Sequence, residues 1–201
     1  MSAFIFFKHE KADKIVGEAT QGIFGKLPSP NGNSSDNYYH GWIQLNSVTQ
    51  TVTRAIESGR SGTARARAGC VLEDIEIEKE VDTTTTVLLE ACSGGTAFPE
   101  VWVHMCTAIQ QDDVQHSLHP YLEFRLFSVK VTSHSINASG ADDGAIPTET
   151  LSLNFDKVHW KYFPIGPYPK NPTAGANDVG NPVVAGWDVV TAARFSLPPG
   201  S

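Results

Sequence analysis

The chain has 201 residues, 40% hydrophobic and 18% charged, with a formal net charge of −7. That balance suits one globular domain long enough to bury a core without disulfide staples. The acidic sign excludes a general nucleic-acid binder, whose affinity comes from neutralising phosphates, and three cysteines with no CxxC spacing exclude a disulfide framework and favour a reducing compartment.

Seventeen glycines and twelve prolines mark many turns and favour a β-rich fold over a helical bundle. The opening MSAFIFFKHEKADK lacks the basic and apolar regions of a signal peptide. No window approaches the ~18 apolar residues of a membrane span. Residues 3–7, AFIFF, read as a short strand buried on both faces. KLPSPNGNSSDN (26–37) is a loop by its prolines and its Asn-Gly. YYHGWIQLNSVTQTVTR (38–54) is aromatic and β-branched and fits strand.

Residues 55–69 hold three glycines and no large apolar run, which predicts an exposed loop. From Arg54 to Arg67 there are four arginines (Arg54, Arg60, Arg65, Arg67) against one acid, Glu57. The next stretch reverses the sign. In LEDIEIEKEVD (72–82), Leu72, Ile75 and Ile77 alternate with Glu73, Asp74, Glu76 and Glu78, a strand with one wet face. TTTTVLLEACSGG (83–95) is open between strand and helix. Its threonines favour strand; Asp82 as N-cap and Gly94-Gly95 as a stop favour a short helix.

FPEVWVHMCTA (98–108) alternates as a strand. YLEFRLFSVKVTSH (121–134) is a longer one whose apolar phase slips by one residue between Leu126 and Phe127. TETLSLNFDKVHWKYFP (148–164) slips in the same way at Asp156-Lys157. A one-residue slip exchanges the faces of a strand, and a bulge or bend restores a single core face. Two such strands predict a strongly curved antiparallel sheet, such as a small closed barrel. Residues 164–182 carry five prolines and three glycines and read as a linker or surface tail, and 183–195 as one last docking strand.

Catalytic chemistry finds little support. His104 and Cys106 share a strand face, but zinc needs three or four ligands, and His116, His119 and His134 cannot be placed beside them. There is no G-x-S-x-G elbow, G-x-G-x-x-G fingerprint or Walker loop. No catalytic, metal or cofactor-binding residue is assigned, and the chain is not read as an enzyme. The basic loop lacks the interleaved aromatics of a nucleic-acid site and reads as a solvated loop or a protein contact.

Several ordered blocks resemble one family. PTETLSLNFDKVHWKYFP (147–164) closely resembles the last core strand of the haemolysin-coregulated protein (Hcp) family, the tube proteins of type VI secretion systems. IVGEAT (15–20), HGWIQLNSVT (40–49), residues 72–103 and YLEFRLFSVKVTS (121–133) are similar to its other blocks, in the family's order, over about residues 1–165. GWDV (186–189) is similar to the ending of longer members. The chain departs at Thr83–Thr86, where the family often has proline, in an insertion over 26–37, and in its long tail.

The resemblance implies a small antiparallel β-barrel over 1–165 with one short helix at 83–95, an extended loop, and a Pro/Gly-rich extension over 166–201. It implies homohexameric rings that stack into a tube, with spike, sheath and effector proteins as partners. It implies synthesis in the cytoplasm and secretion without a signal peptide. No membrane insertion is implied. Arg54, Arg60, Arg65 and Arg67 are then expected to meet acidic surface on a neighbouring subunit, for which Glu73, Asp74, Glu76 and Glu78 are candidates. The alternative is a monomeric β-barrel ligand or effector carrier, or a specialised homologue that does not polymerise.

Overall fold

The computed structural model describes residues 2–9, 15–23, 29–54, 70–112, 115–138, 146–164 and 182–197. Among them the strands run β1 (Ser2–Lys8), β2 (Ile43–Leu45), β3 (Ser47–Thr49), β4 (Val52–Arg54), β5 (Cys70–Leu72), β6 (Ile75–Glu80), β7 (Ala97–Asp112), β8 (Gln115–Asn137), β9 (Thr148–Asn154), β10 (Lys157–Tyr162), β11 (Val183–Asp188) and β12 (Ala193–Arg194). One helix, α1 (Thr85–Gly94), lies between β6 and β7. The fold is mainly antiparallel β with that one short helix.

The sheet branches because β8 is long enough to serve two neighbours along one edge. β7 lies along its other edge. The first half of β8 pairs with β10 through Leu122–Phe127. The second half pairs with β9 through Lys130–Asn137. One arm continues β10–β11–β12, the other β9–β6–β3, and β7 leads to β1 and β2. β4 and β5 pair only with each other.

Both phase slips have a visible cause. Ser128 takes a left-handed φ of 56° between Leu126 and Val129, so both side chains still enter the core. In 148–164 the slip is a break. β9 ends at Asn154, Phe155 is buried, and the Asp156 N–H bonds Phe127 O at 3.0 Å before β10 begins. Leu151, Leu153, Phe155 and Val158 therefore share one apolar cluster with Ile75, Ile77, Leu88, Leu126 and Val129. β1 is buried on both faces: Ile5 and Phe7 join this cluster, and Phe4 joins a second.

The second cluster corrects one expectation. Tyr38–Trp42 is not strand. It is a turn with Gly41 at φ 81°, and Tyr38, Tyr39 and Trp42 fold down with Ala19 and Ile23 over Phe4, Trp102 and Cys106. Gly17 is needed here, because a Cβ would overlap the Trp42 carbonyl. The 83–95 segment is helix, stopped by Gly95 at φ 64°. Thr84 occupies the N-cap position, not Asp82; the Asp82 carboxylate instead accepts the Thr84 N–H at 2.8 Å. Residues 183–195 form a short hairpin rather than a single strand, with β11 paired along β10. The predicted loop at 55–69, and all of the predicted 164–182 linker but Pro164 and Pro182, lie outside the described residues.

Candidate functional site

The β4–β5 ribbon pairs with no strand of the main sheet, and Leu72 at its foot packs against the main core. Val52 pairs with Leu72, and Thr53 with Val71, so Val52 and Val71 point to opposite faces. They are 51% and 56% exposed. An isolated two-stranded ribbon is marginally stable in water, and this one shows an exposed valine on each face. Arg54 ends β4, and its side chain is exposed. Arg60, Arg65 and Arg67, the other expected interface cations, lie outside the described residues.

The expected acids divide by geometry. Glu73 is exposed at the foot of the ribbon, with its N–H bonded to Thr51 O at 3.1 Å. The Asp74 carboxylate is engaged within the chain, accepting Thr132 Oγ1 at 2.6 Å and Asn154 Nδ2 at 2.8 Å. Glu76 and Glu78 lie on the outer side of β6, opposite Ile75 and Ile77. There they fall into cross-strand rows. Thr49, Glu76, Ser152 and Ser133 make one row across β3, β6, β9 and β8. Ser47, Glu78, Thr150 and Ser135 make the next, and Glu80, Thr148 and Asn137 the third. Sequence reasoning saw the glutamates but not the hydroxyls beside them, because only the register brings the strands together.

On the opposite side of β6, one position departs from the apolar pattern. Lys79 is fully buried, and its Nζ lies 2.6 Å from Glu149 Oε1 and 2.9 Å from Asp82 Oδ1, and bonds Glu80 O at 2.7 Å. Thr85 Oγ1 donates to Glu149 at 3.2 Å, and His134 Nε2 meets its other oxygen at 3.0 Å. This network ties the start of α1 to β6, β8 and β9.

A second network lies under Tyr39. Its hydroxyl is 2.9 Å from His104 Nδ1 and 3.0 Å from Cys106 Sγ. His104 Nε2 meets Glu123 Oε2 at 3.1 Å, and Arg125 Nε donates to Glu123 Oε1 at 3.1 Å while stacking on Trp102. The Glu123 carboxylate accepts from His104 Nε2–H and Arg125 Nε–H, and the Tyr39 hydroxyl bridges His104 Nδ1 and Cys106 Sγ. Burial pushes the Cys106 thiol up to about 12 and raises the Tyr39 hydroxyl, so both keep their protons. Burial raises the Glu123 carboxyl, but the His104 hydrogen bond and the Arg125 and Lys161 charges outweigh it and hold it below its ordinary value. His104 and Cys106 do share a face, as their spacing predicts, and both are committed to Tyr39. Among the described residues no group of three or more His, Cys, Asp or Glu is placed to hold a metal. Among them, too, no helix is long and apolar enough to cross a membrane.

The ordered blocks, the branched sheet and the free ribbon can now be set against known proteins. A family profile described as "Type VI secretion system effector, Hcp" matches residues 13–162. The chain belongs to the Hcp family. These are non-enzymatic structural proteins, secreted by the type VI system. The chain is 32% identical over 118 residues to protein hcp1 of Pseudomonas aeruginosa, a match covering 59% of this chain and 64% of that protein. It thus spans less than two thirds of the length of that curated relative. A solved structure of a type six secretion system protein superposes with a TM-score of 0.68 at 20% identity, covering 96% of this chain and 99% of that one. Hcp1 from Salmonella typhimurium gives 0.57 at 16% identity, covering 97% and 100%. These likenesses show the fold.

The structure explains the residues that carried the resemblance to Hcp. Glu149 of the PTE block and Lys79 of the IEK block are cross-strand partners in the β6–β9 ladder. Gly17 of IVGEAT gives close passage beneath Trp42. Glu18 Oε1 accepts the Thr83 N–H at 3.3 Å and so reaches the approach to α1. In GWDV, a Cβ on Gly186 would overlap Phe195 O, and Asp188 accepts the Thr191 N–H at 2.9 Å.

Proposed function

We propose that this Hcp-family chain is the structural subunit of a type VI secretion tube. Six copies close into a ring around a channel, rings stack head to tail, and a contractile sheath ejects the tube with a spike at its tip and effectors in its lumen. The observation that carries this reading is the β4–β5 ribbon. An arm with an exposed valine on each face is stable when neighbouring subunits cover it, and heterologous contacts of this kind generate closed rings and open-ended stacks.

The body of the subunit is a small closed barrel over residues 1–165, with 166–201 as an extension. Support for closure comes from the pairing path β1–β2, β3–β6, β6–β9, β9–β8, β8–β7 and β7–β1, which needs only the bend at Asn46 to join β2 to β3. Arg54, Arg60, Arg65 and Arg67 meet acids of the adjacent subunit, with Glu73 the exposed acid beside the arm. The protein is made in the cytoplasm and leaves through the type VI system without a signal peptide.

The test is mass in solution by light scattering, with negative-stain images of the same sample. Six copies of a 21.8 kDa chain weigh about 131 kDa and are expected as rings with an open centre. A single species of about 22 kDa at high concentration and low salt, without rings, overturns the tube reading and leaves a monomeric carrier of the same fold.

A further inference from the structure

The β4–β5 arm leaves the body at a short hinge. β3 ends at Thr49 and β4 begins at Val52, so Gln50 and Thr51 carry the turn between them. Three contacts hold this foot. Leu72 packs against the main core, the Glu73 N–H bonds Thr51 O at 3.1 Å, and Trp160 Nε1 donates to Gln50 Oε1 at 2.8 Å. The first is an apolar contact with no preferred direction. The second lies within the foot of the arm itself. The third ties the hinge to the body, and a hydrogen bond between a ring N–H and a carbonyl is directional.

Trp160 is a firm post for such a tie. It pairs with Phe124 of β8 on one side and Ala185 of β11 on the other, and its ring packs against the main core. An indole is a donor only, so the Gln50 carbonyl must face it and the amide nitrogen turns away. Among the described residues that nitrogen is buried without a hydrogen-bond partner. A buried unpaired donor costs stability. Glutamine is therefore a poor choice for packing alone, because methionine fills the same space and leaves no orphan nitrogen.

The lever is long enough to matter. Arg54 stands four residues beyond Gln50. At strand rise that is about 13 Å, so a tilt of about 10° at the hinge carries Arg54 about 2 Å. Backbones in preorganised interfaces move by less than about 1 Å on binding. A ring also closes only when every copy repeats one rotation, and the same contact at another angle gives open chains.

Resting on the tube reading, we infer that Gln50 and Trp160 are positioning residues for assembly: their hydrogen bond fixes the angle at which the arm leaves the body and so decides whether the ring closes. β11 of the C-terminal hairpin contributes by bracing Trp160 along β10.

The test compares wild type with Gln50→Met, Trp160→Phe and the double variant, in urea denaturation and in light scattering with negative-stain images. Wild-type rings are scored first, and their absence sinks the tube reading itself, whatever the variants do. Each single variant strands one partner of the bond and is expected to lower the urea midpoint slightly. The double variant is expected to fall no further than Trp160→Phe, since it leaves neither partner unpaired. Assembly is expected to follow a different course. Gln50→Met should need at least tenfold more protein for half assembly, with irregular open oligomers in place of rings, and the double variant should be as defective. Gln50→Asn, whose carbonyl is one methylene too short to reach the indole, should repeat the defect while keeping an amide at the hinge. Ring formation that simply tracks the urea midpoint across the variants makes the bond structural only and overturns the inference. Normal rings from either single variant overturn it as well.

Discussion

Lys79 and Glu149 show how one residue pair can stand behind a family signature. Both side chains are fully buried, 2.6 Å apart, and Glu149 also takes bonds from Thr85 and His134. Removing one partner leaves an uncompensated buried charge, which costs about 3–5 kcal/mol. Lys79→Ala and Glu149→Ala are each expected to lower stability by that amount in urea denaturation. Lys79→Met/Glu149→Leu is expected to recover much of the loss, because the apolar pair leaves no charge behind. A double variant no more stable than the single ones would show that Asp82, Thr85 and His134 hold the network together instead.

The buried titratable groups fix the pH response at the same scale. Burial lowers His119, and it lowers His159 despite the nearby Glu123 charge. An imidazole lowered in the fold contributes stability above its ordinary value of about 6.5, and loses it as pH falls from there, because the unfolded chain takes up protons first. Glu123 is lowered as well, so its contribution is present above about 4.3 and is lost as pH falls through its folded value. Both effects act in one direction. The urea midpoint is expected to fall as pH drops below about 6.5 and to fall further below about 4.3, and His119→Phe should flatten the first decline. A midpoint constant from pH 7 to 5 would contradict the assignment.

Among the elements, the strands were legible wherever apolar alternation was strict. The two phase slips were legible too, and correctly foretold a bend, although one proved to be Ser128 within β8 and the other a break between β9 and β10. Tyr38–Trp42 misled because aromatic residues favour strand, whereas here they are drawn down onto β1 and β7 through contacts such as the Phe4–Tyr39 stack at 4.1 Å. Lys79 was not legible as a buried residue, since its partner lies 70 residues away and pattern within β6 cannot reach it. Val52 read as an ordinary strand residue and Val71 fell between the predicted 55–69 loop and the 72–82 strand; their exposure follows from β4 and β5 having no third strand. That makes the arm separable from the body. Val52→Asp/Val71→Asp is expected to change subunit stability by less than about 0.5 kcal/mol, as surface changes do, yet to abolish rings in light scattering. A large loss of stability in the monomer would mean that the arm packs on its own subunit.

For the molecule as a whole, charge is distributed unevenly along a chain whose net charge is −7. Arg54 ends β4 and the other three arginines lie in sequence between β4 and β5, while Glu73 stands at the foot of the ribbon and Glu76, Glu78 and Glu80 follow along β6. In the proposed ring the subunits carry the same net charge and repel, so contact between the arginines and an acidic neighbour is expected to set the orientation in which two copies approach. Exposed pairs of this kind are screened over about 8 Å at physiological ionic strength and over about 3 Å at 1 M salt. The valines are not screened, and salt does not weaken their burial. Ring formation is therefore expected to slow and weaken from low to moderate salt and then to level off, where the apolar contact alone remains. Arg65→Glu/Arg67→Glu should remove the salt-sensitive part, giving weak assembly at low salt that improves as salt is added. If that variant assembles at low salt as wild type does, the arginines are solvated bystanders and the arm is held by Val52 and Val71 alone.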